Sequence, residues 1–411
     1  VDILKIRDAK DVEEAVCAAI ASEQPLEIAG HGSKRQIGQP MATNAVLDLS
    51  PLNAVTSYEP NELIITVQAG APLADVMSLI DSKNQQFAFE PMNTGQLLGT
   101  AELGTIGGMI GAGLAGPRRI RAGGARDHLL GAHAVSGFGE GFRTGGKVVK
   151  NVTGYDLCKL LTGSWGTLAV MTEVTLKVMP RPESERTLVL SGLDDRSANK
   201  AMTTALGSPF DVSGAAHLPN PALWANADGF AQLAQNGAIT LLRLEGTSTS
   251  AAHRAASLAR LLTPFGTAGI LDDAESAGLW SAICDVRPFA ADAALGAWPV
   301  WRIVCPPASG GALGQQLAQD TSGEVNYDWG GGLIWLALPP GPDAQAALVR
   351  QQVNAAGGHA TLIRASEEVR RAVPVFHPQP SGLAALSERV RASFDPKSIF
   401  NRGRLTWSGV A

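Results

Sequence analysis

Residues 104–127 read GTIGGMIGAGLAGPRRIRAGGARD. A stretch this rich in glycine is backbone built for close approach, since Gly104, Gly107, Gly108, Gly111, Gly113 and Gly116 lack the Cβ atoms that would hold a ligand off the main chain. Consecutive bare amides can turn their N–H groups into one concavity, a nest for phosphate oxygens. Arg118, Arg119, Arg121 and Arg126 add guanidinium groups suited to anions or to acidic neighbours. A ligand carrying a pyrophosphate is the expected tenant; the competing reading is a packing turn or surface loop. Residues 111–116, GAGLAG, also match G-x-G-x-x-G. That fingerprint needs a strand before it, a helix opening on it and an acidic residue about 20 positions on. Here Pro117 follows the third glycine, residues 118–126 have no apolar helical period, and Glu140 falls in a glycine-rich turn. A nicotinamide-type Rossmann site is the weaker reading.

Upstream, Asp11 and Glu14 resemble a capping box ahead of the stripe Val12, Val16, Ala19 and Ile20. A short apolar strand, 26–29, then runs into Gly30-His31-Gly32-Ser33-Lys34-Arg35. This is a second glycine loop at a strand end, with a hydroxyl and two cations placed for a pyrophosphate. Strands are expected over 46–49 and 63–67, and a helix after Pro72 with the stripe Leu73, Val76, Met77 and Ile80. Downstream, 129–136 reads as a strand turning through Gly-Phe-Gly-Glu-Gly into a return strand. Residues 155–161 read as a short helix, Gly163 and Gly166 as a turn, and 167–178 as a β-branched strand; Pro180 and Pro182 close a first domain.

Beyond about 186 the pattern changes. Strand (187–191), helix (196–206), strands (212–218 and 238–244) and helix (250–263) are followed by strand (300–305), helix (312–319), strands (324–328 and 333–337), helix (344–356) and strand (359–363). Each half suggests a split β-α-β-β-α-β unit, and two side by side would make a large antiparallel sheet with helices on one face, a cap over the first domain. The fold class is α+β. Trp280, Trp298, Trp301, Trp329 and Trp335 fall in this half, as cavity walls or as core. A helix over 383–394 follows.

With 411 residues the chain is long enough for two or three domains. Its 45% hydrophobic and 17% charged composition is that of an ordinary globular protein, and a net charge of −5 argues against broad nucleic-acid binding. No apolar run reaches the length of a membrane span, and no signal peptide is visible; a cytoplasmic location is expected. Cys17, Cys158, Cys284 and Cys305 are too scattered for a local iron–sulfur or zinc site. The seven histidines show no metal-ligand spacing, so no metal is expected.

Taken together these blocks resemble the vanillyl-alcohol-oxidase, or PCMH-type, FAD-binding superfamily. Residues 30–34 look like its first phosphate loop and Thr105-Ile106-Gly107-Gly108 like its second. Gly163-Ser164-Trp165-Gly166-Thr167-Leu168 with Thr172-Glu173 is similar to its G-S-x-G-T-L-G signature, and Asp395-Pro396 to Asn401 to its D-P-x-x-x-x-N end. Within it the chain is most similar to the FAD-binding subunits of bacterial glycolate oxidase, through Gly116 to Arg119, Arg126-Asp127, residues 145–156 and 358–362. The resemblance implies an FAD domain over 1–182, a cap of ferredoxin-like halves over 183–380 and a C-terminal segment, 381–411, returning to the first domain. It implies non-covalent FAD, held by Gly30, His31, Gly32, Ser33, Lys34, Thr105, Ile106, Gly107, Gly108, Ala112, Arg126, Asp127, Gly166, Thr167 and Val170, mainly through backbone amides of 30–34 and 105–108. His31 is a turn residue, a ligand or a covalent flavin anchor; relatives with covalent flavin carry histidine just before the serine, where this chain has Gly32. Ala169 stands where the signature has glycine, and Arg402 where proline is usual. The larger catalytic relatives carry H-G-D-G-N-x-H, whereas the corresponding residues here are Asn326 to Gly331.

Oxidation of a hydroxy acid on a flavin needs a cation for the carboxylate, a base for the hydroxyl proton and the α-hydrogen held against the flavin. Arg287 and Arg302 are the candidate clamps, and His359 and His377 the candidate bases. The implied partners are a larger hydroxy-acid-oxidising flavoprotein and an iron–sulfur subunit, with any membrane contact made through them. The alternative is a flavin-bearing relay without a substrate site of its own.

Overall fold

The computed structural model describes residues 2–41, 43–100, 103–146, 154–227, 230, 233 and 237–406. The motif quoted over 145–156 therefore lies largely outside the described residues.

The chain opens with a parallel sheet, β1 (Asp2–Lys5), β2 (Leu26–Ala29) and β3 (Ala45–Asp48), in the order β1-β3-β2. Between β1 and β2 the helix Ala9–Ser22 buries Val12, Val16 and Ala19. Its N-cap is Asp8, whose side chain accepts the Asp11 amide, whereas Asp11 pairs with Arg7 inside the first turn; the cap thus starts earlier than the sequence pattern suggests. On the other edge of β2 the C-terminal segment adds in parallel. Leu26 N donates to Ile399 O (2.8 Å), and Asn401 N to Leu26 O (2.9 Å). The end of the chain thereby lies beside the strand that delivers the 30–34 loop.

An antiparallel sheet follows, built from β4 (Val55–Glu59), β5 (Ile64–Gln68), β7 (Leu129–Ser136), β8 (Gly141–Gly145) and β9 (Ala169–Lys177), ordered β4-β5-β9-β7-β8. A small ribbon pairs β6 (Gln85–Gln86) with β10 (Met179–Pro180). The opening of the glycine stretch forms a short helix, Ile106–Ala112, whose Ile106, Met109 and Ile110 enter the core with Ile65, Val67 and Val174.

The cap contains two halves of the same plan. β11 (Ser184–Ser191), β12 (Val212–Leu218), β13 (Ile239–Gly246) and β14 (Gly269–Leu271) pair as β14-β11-β13-β12. β15 (Val300–Val304), β16 (Glu324–Asp328), β17 (Leu333–Ala337) and β18 (His359–Arg364) pair as β16-β17-β15-β18. Each is a ferredoxin-like β-α-β-β-α-β unit. β12 and β16 join them edge to edge at His217 and Tyr327, closing an eight-stranded antiparallel sheet. Trp280, Trp301 and Trp335 are core residues, while Trp329 sits between the domains, its Nε1 donating to Gly116 O at 3.0 Å.

Buried charge also joins the domains. Arg243, on β13, donates to both carboxylate oxygens of Glu90 (2.8 and 2.9 Å). Arg118 reaches the same carboxylate at 3.0 Å and Glu245 at 2.8 Å. Glu90 holds a positive φ of 52°, a left-handed conformation that costs energy in a non-glycine residue and persists where the surroundings impose it.

Candidate cofactor cleft and substrate cavity

Two loops face each other at the ends of β2 and β5. In the first, Gly32 adopts φ +71°, and among the described residues the amides of Gly32, Ser33 and Lys34 have no acceptor. All three residues line the cleft, so their amides are left as donors for an anion nest. The second loop is pressed against the first by its glycines. A Cβ at Gly30 would lie 2.6 Å from the Thr105 side chain, and one at Gly104 would lie 2.4 Å from Ser33 Oγ.

The amides of Ile106 to Met109 in the second loop are already occupied, contrary to expectation. Ile106 N donates to Ala71 O (3.0 Å), Gly107 N to Ala69 O (2.7 Å), Met109 N to Thr105 O (2.9 Å), and Gly108 N to Thr105 Oγ1 (3.2 Å). The helix therefore offers the cleft a surface without side chains. A Cβ on Gly108 would meet only Thr105 Oγ1, at 3.3 Å, and one on Gly111 only Met171 Cε, at 4.0 Å.

The third wall comes from Trp165-Gly166 and the C-terminal segment. Asn401 joins them, accepting Ile28 N (2.9 Å) on Oδ1 and donating from Nδ2 to Trp165 O (2.7 Å). Gly166, at φ +68°, makes room for it, since a Cβ there would lie 2.7 Å from that Nδ2. The Asp395 carboxylate accepts Ile399 N (2.9 Å) and Phe400 N (2.8 Å), fixing the turn. Lys34, and Arg404 beyond Asn401, line the cleft, and neither has a carboxylate within ion-pair distance among the described residues. Glu27, at the cleft edge, is taken by Arg35.

Of the expected site residues, Gly30 to Lys34, Thr105, Gly107, Gly108, Ala112 and Gly166 border this cleft. Ile106 and Val170 are fully buried in the core, and Thr167 turns its hydroxyl to Ser164 O (2.7 Å). Arg126 and Asp127 are exposed on a neighbouring turn, where Asp127 accepts Gly124 N at 2.8 Å. Trp165, Asn401 and Arg404 were not foreseen as lining. The Asn-terminated motif signalled Asn401, but nothing local signalled Arg404.

A cavity of about 460 Å³ adjoins the cleft, sharing Ala112 and Trp165 with it. Arg302 and Thr361, on adjacent strands, and His359 form its polar side; Leu114, Ile363 and Phe376 are apolar wall. The Arg302 guanidinium lies 5.1 Å from the Trp329 ring centre, with Arg119 at 4.5 Å from the same ring. Burial, with Arg119 adding to it, pushes Arg302 down to about 10, still a cation at neutral pH. Burial and the same two arginines lower His359. His377 also lines the cavity, but both its nitrogens are engaged: Nδ1 accepts Ala360 N (3.1 Å), and Nε2 faces Asn354 Oδ1 (2.8 Å). His359 has no such bonds among the described residues. Arg287 lies in a separate depression beside Asp292 and donates to Gln96, so the structure does not bring it to Arg302 and His359. Among the described residues no three histidine, cysteine, aspartate or glutamate side chains gather as metal ligands do.

The chain matches a family model described as an FAD binding domain over residues 3–145. Solved structures share the fold across nearly the whole chain. p-Cresol methylhydroxylase with substrate bound superposes with a TM-score of 0.70 at 12% identity, covering 98% of this chain and 88% of that one. Alkyldihydroxyacetonephosphate synthase does so at 0.70 and 15%, covering 97% and 76%. The fold is the PCMH-type FAD-binding fold, and its relatives place the chain among the FAD-linked oxidoreductases. The glycolate oxidase subunit GlcE of Escherichia coli (strain K12) is 33% identical over 397 residues, 95% of each chain. The chain belongs to the glycolate oxidase subunit GlcE family. The glycolate oxidase subunit GlcD of Bacillus subtilis (strain 168) is 33% identical over 173 residues, 41% of this chain and 35% of that one.

The donors left open in the cleft suit the pyrophosphate of FAD, and they carry a pH dependence. Burial, reinforced by Arg404, pushes Lys34 down to about 8 in the ligand-free protein. An anion laid against the ammonium raises that value, so at higher pH binding must take up a proton. FAD affinity is expected to be flat below about pH 8 and to fall by up to about tenfold per unit above it. Titrations of the apoprotein across this range check it, and Lys34→Met should flatten the profile.

Proposed function

We propose that this chain is the FAD-bearing subunit of a heteromeric 2-hydroxy acid (glycolate) oxidase or dehydrogenase, taking glycolate to glyoxylate and passing electrons to an iron–sulfur partner. The observation that carries the reading is Arg302, with no carboxylate in ion-pair distance among the described residues, beside a His359 with no hydrogen bond among them, in a cavity that adjoins the cofactor cleft. The planar guanidinium suits a carboxylate bidentately. His359, lowered by partial desolvation and by Arg302 and Arg119, takes the hydroxyl proton. The flavin, when bound, supplies the acceptor for the hydride of the α-carbon. Leu114, Ile363 and Phe376 give the substrate carbon an apolar wall. The cofactor is non-covalent, Gly32 preceding Ser33 where covalent relatives have histidine; acid precipitation should leave the flavin in the supernatant.

The partners are a larger hydroxy-acid-oxidising flavoprotein and an iron–sulfur subunit. The GlcD relative supports the first, and the scattered cysteines support a carrier on another chain. We place any membrane contact on those partners and the subunit itself in the cytoplasm; no helix among the described residues is long and apolar enough to cross a membrane. A second reading, an electron relay that leaves substrate oxidation to the larger flavoprotein, is favoured by the Asn326–Gly331 segment where catalytic relatives carry paired histidines. Stopped-flow anaerobic reduction of the isolated subunit by glycolate and D-lactate separates the two. Saturable bleaching at the turnover rate of the complex supports a local active site. A flavin that is reduced only with the sister flavoprotein present supports the relay.

A further inference from the structure

We propose that Arg404 is a cofactor-binding residue, and that with Lys34 it clamps the pyrophosphate of FAD from opposite ends of the sequence. The proposal rests on the flavin reading of the cleft and adds to it a residue that no motif marks.

Arg404 is 6% exposed. Its Nη2 donates to Lys34 O at 2.6 Å, and its guanidinium stacks 5.3 Å from the centre of Trp165. Nε is buried with no partner, and no carboxylate lies within ion-pair distance among the described residues. A buried guanidinium left unpaired is costly, yet the fold is arranged to place it there. Gly38 holds φ +100° at the point where a Cβ would lie 2.7 Å from Arg404 Cγ. The Asp395 turn and the Asn401 bridge set the path that delivers it.

Lys34 is in the same condition: 9% exposed, its ammonium bonded among the described residues only to Ser33 Oγ at 3.3 Å. Two buried cations without an ion-pair partner among the described residues therefore line one cleft beside the open amides of 32–34, with only Glu27, held by Arg35, acting on Arg404 from further off. A pyrophosphate diester carries two negative charges and oxygens enough for both cations and the amides. Either residue serving only to pack would not need its charge, and Arg404 in particular would be better replaced by an apolar side chain of similar length.

The test uses the full chain stripped of flavin, as wild type, Arg404→Met, Arg404→Lys and Lys34→Met. Each is titrated with FAD, ADP and riboflavin by fluorescence and calorimetry, and its thermal midpoint is taken without ligand. Arg404→Met is expected to weaken FAD and ADP by about 10- to 100-fold, as loss of a charged hydrogen-bond donor does. Riboflavin, which lacks phosphate, should change by less than about twofold. Arg404→Lys should recover part of the loss, Lys34→Met should repeat the pattern, and the ligand-free midpoint of Arg404→Met should hold or rise because an unpaired buried charge has gone. FAD affinity unchanged in Arg404→Met overturns the proposal, as does a loss of riboflavin affinity equal to that of FAD. A wild-type chain that takes up no FAD defeats the flavin reading itself; normal wild-type binding with an unaffected Arg404→Met defeats only this inference.

Discussion

Gly108→Val is expected to give a folded chain that no longer binds FAD, with affinity reduced more than about 100-fold. The substitution sits inside the helix Ile106–Ala112, where valine costs no more than glycine in helix propensity. Its Cβ meets only the Thr105 hydroxyl, at 3.3 Å, and its two methyl groups project into the cleft. The ligand is then held off the open amides of 32–34, and a pyrophosphate kept in a cleft away from its donors is heavily penalised. Gly107→Ala is the control. Its Cβ would lie 2.8 Å from Ala69 Cβ and 2.9 Å from Ala69 O, so a backbone must shift and stability should fall with or without ligand. Circular dichroism and denaturation of both apoproteins, with FAD titrations, separate the two roles. Full flavin retention in a folded Gly108→Val protein would sink the assignment of this helix face.

The two glycines have the same letter in the same motif, and only the structure tells them apart. The sequence marks a place where backbone comes close to something; whether that something is ligand or Ala69 depends on a carbonyl about forty residues away in sequence. The same limit explains the second loop. Its amides look like anion donors because consecutive glycines leave them bare, but Ala69 O and Ala71 O claim two of them. His359 and His377 were equal candidates for a base until Asn354 and the Ala360 amide were seen to engage both nitrogens of one. Periodicity did better in the cap, where β16 and β17 fall on their expected residues and α/β alternation implied the ferredoxin-like halves. The strand it missed, β14, is three residues long and begins with glycine, leaving no alternation to read. Arg404 is legible only in space, since its meaning lies in a buried guanidinium with no carboxylate within ion-pair distance among the described residues.

The second large effect is expected at the domain junction, where Glu90→Ala should destabilise the chain by about 3–5 kcal/mol. The side chain of Arg243 is 1% exposed, and Glu90 receives both of its terminal nitrogens. Removing the carboxylate leaves a fully buried guanidinium with Ser213 and two more distant carboxylates, Glu245 at 3.7 Å and Glu185 at 4.0 Å. Arg118 is less affected, because it keeps Glu245 at 2.8 Å. Burial opposes ionisation of Glu245, but Arg243 and Arg118 outweigh it and hold that carboxyl down to about 2; it is already fully ionised and has no further charge to offer in Glu90's place. The cost is therefore that of stranding Arg243 more than that of losing the pair. Glu90→Met with Arg243→Met should consequently cost less than Glu90→Ala alone, because it removes both charges and returns apolar volume against Trp280, whose ring lies 4.6 Å from the guanidinium. Urea denaturation of the three proteins decides it. A double variant as unstable as the single one would show that the cluster contributes net attraction between the domains, and that the left-handed backbone of Glu90 is held for that energy and not for geometry alone.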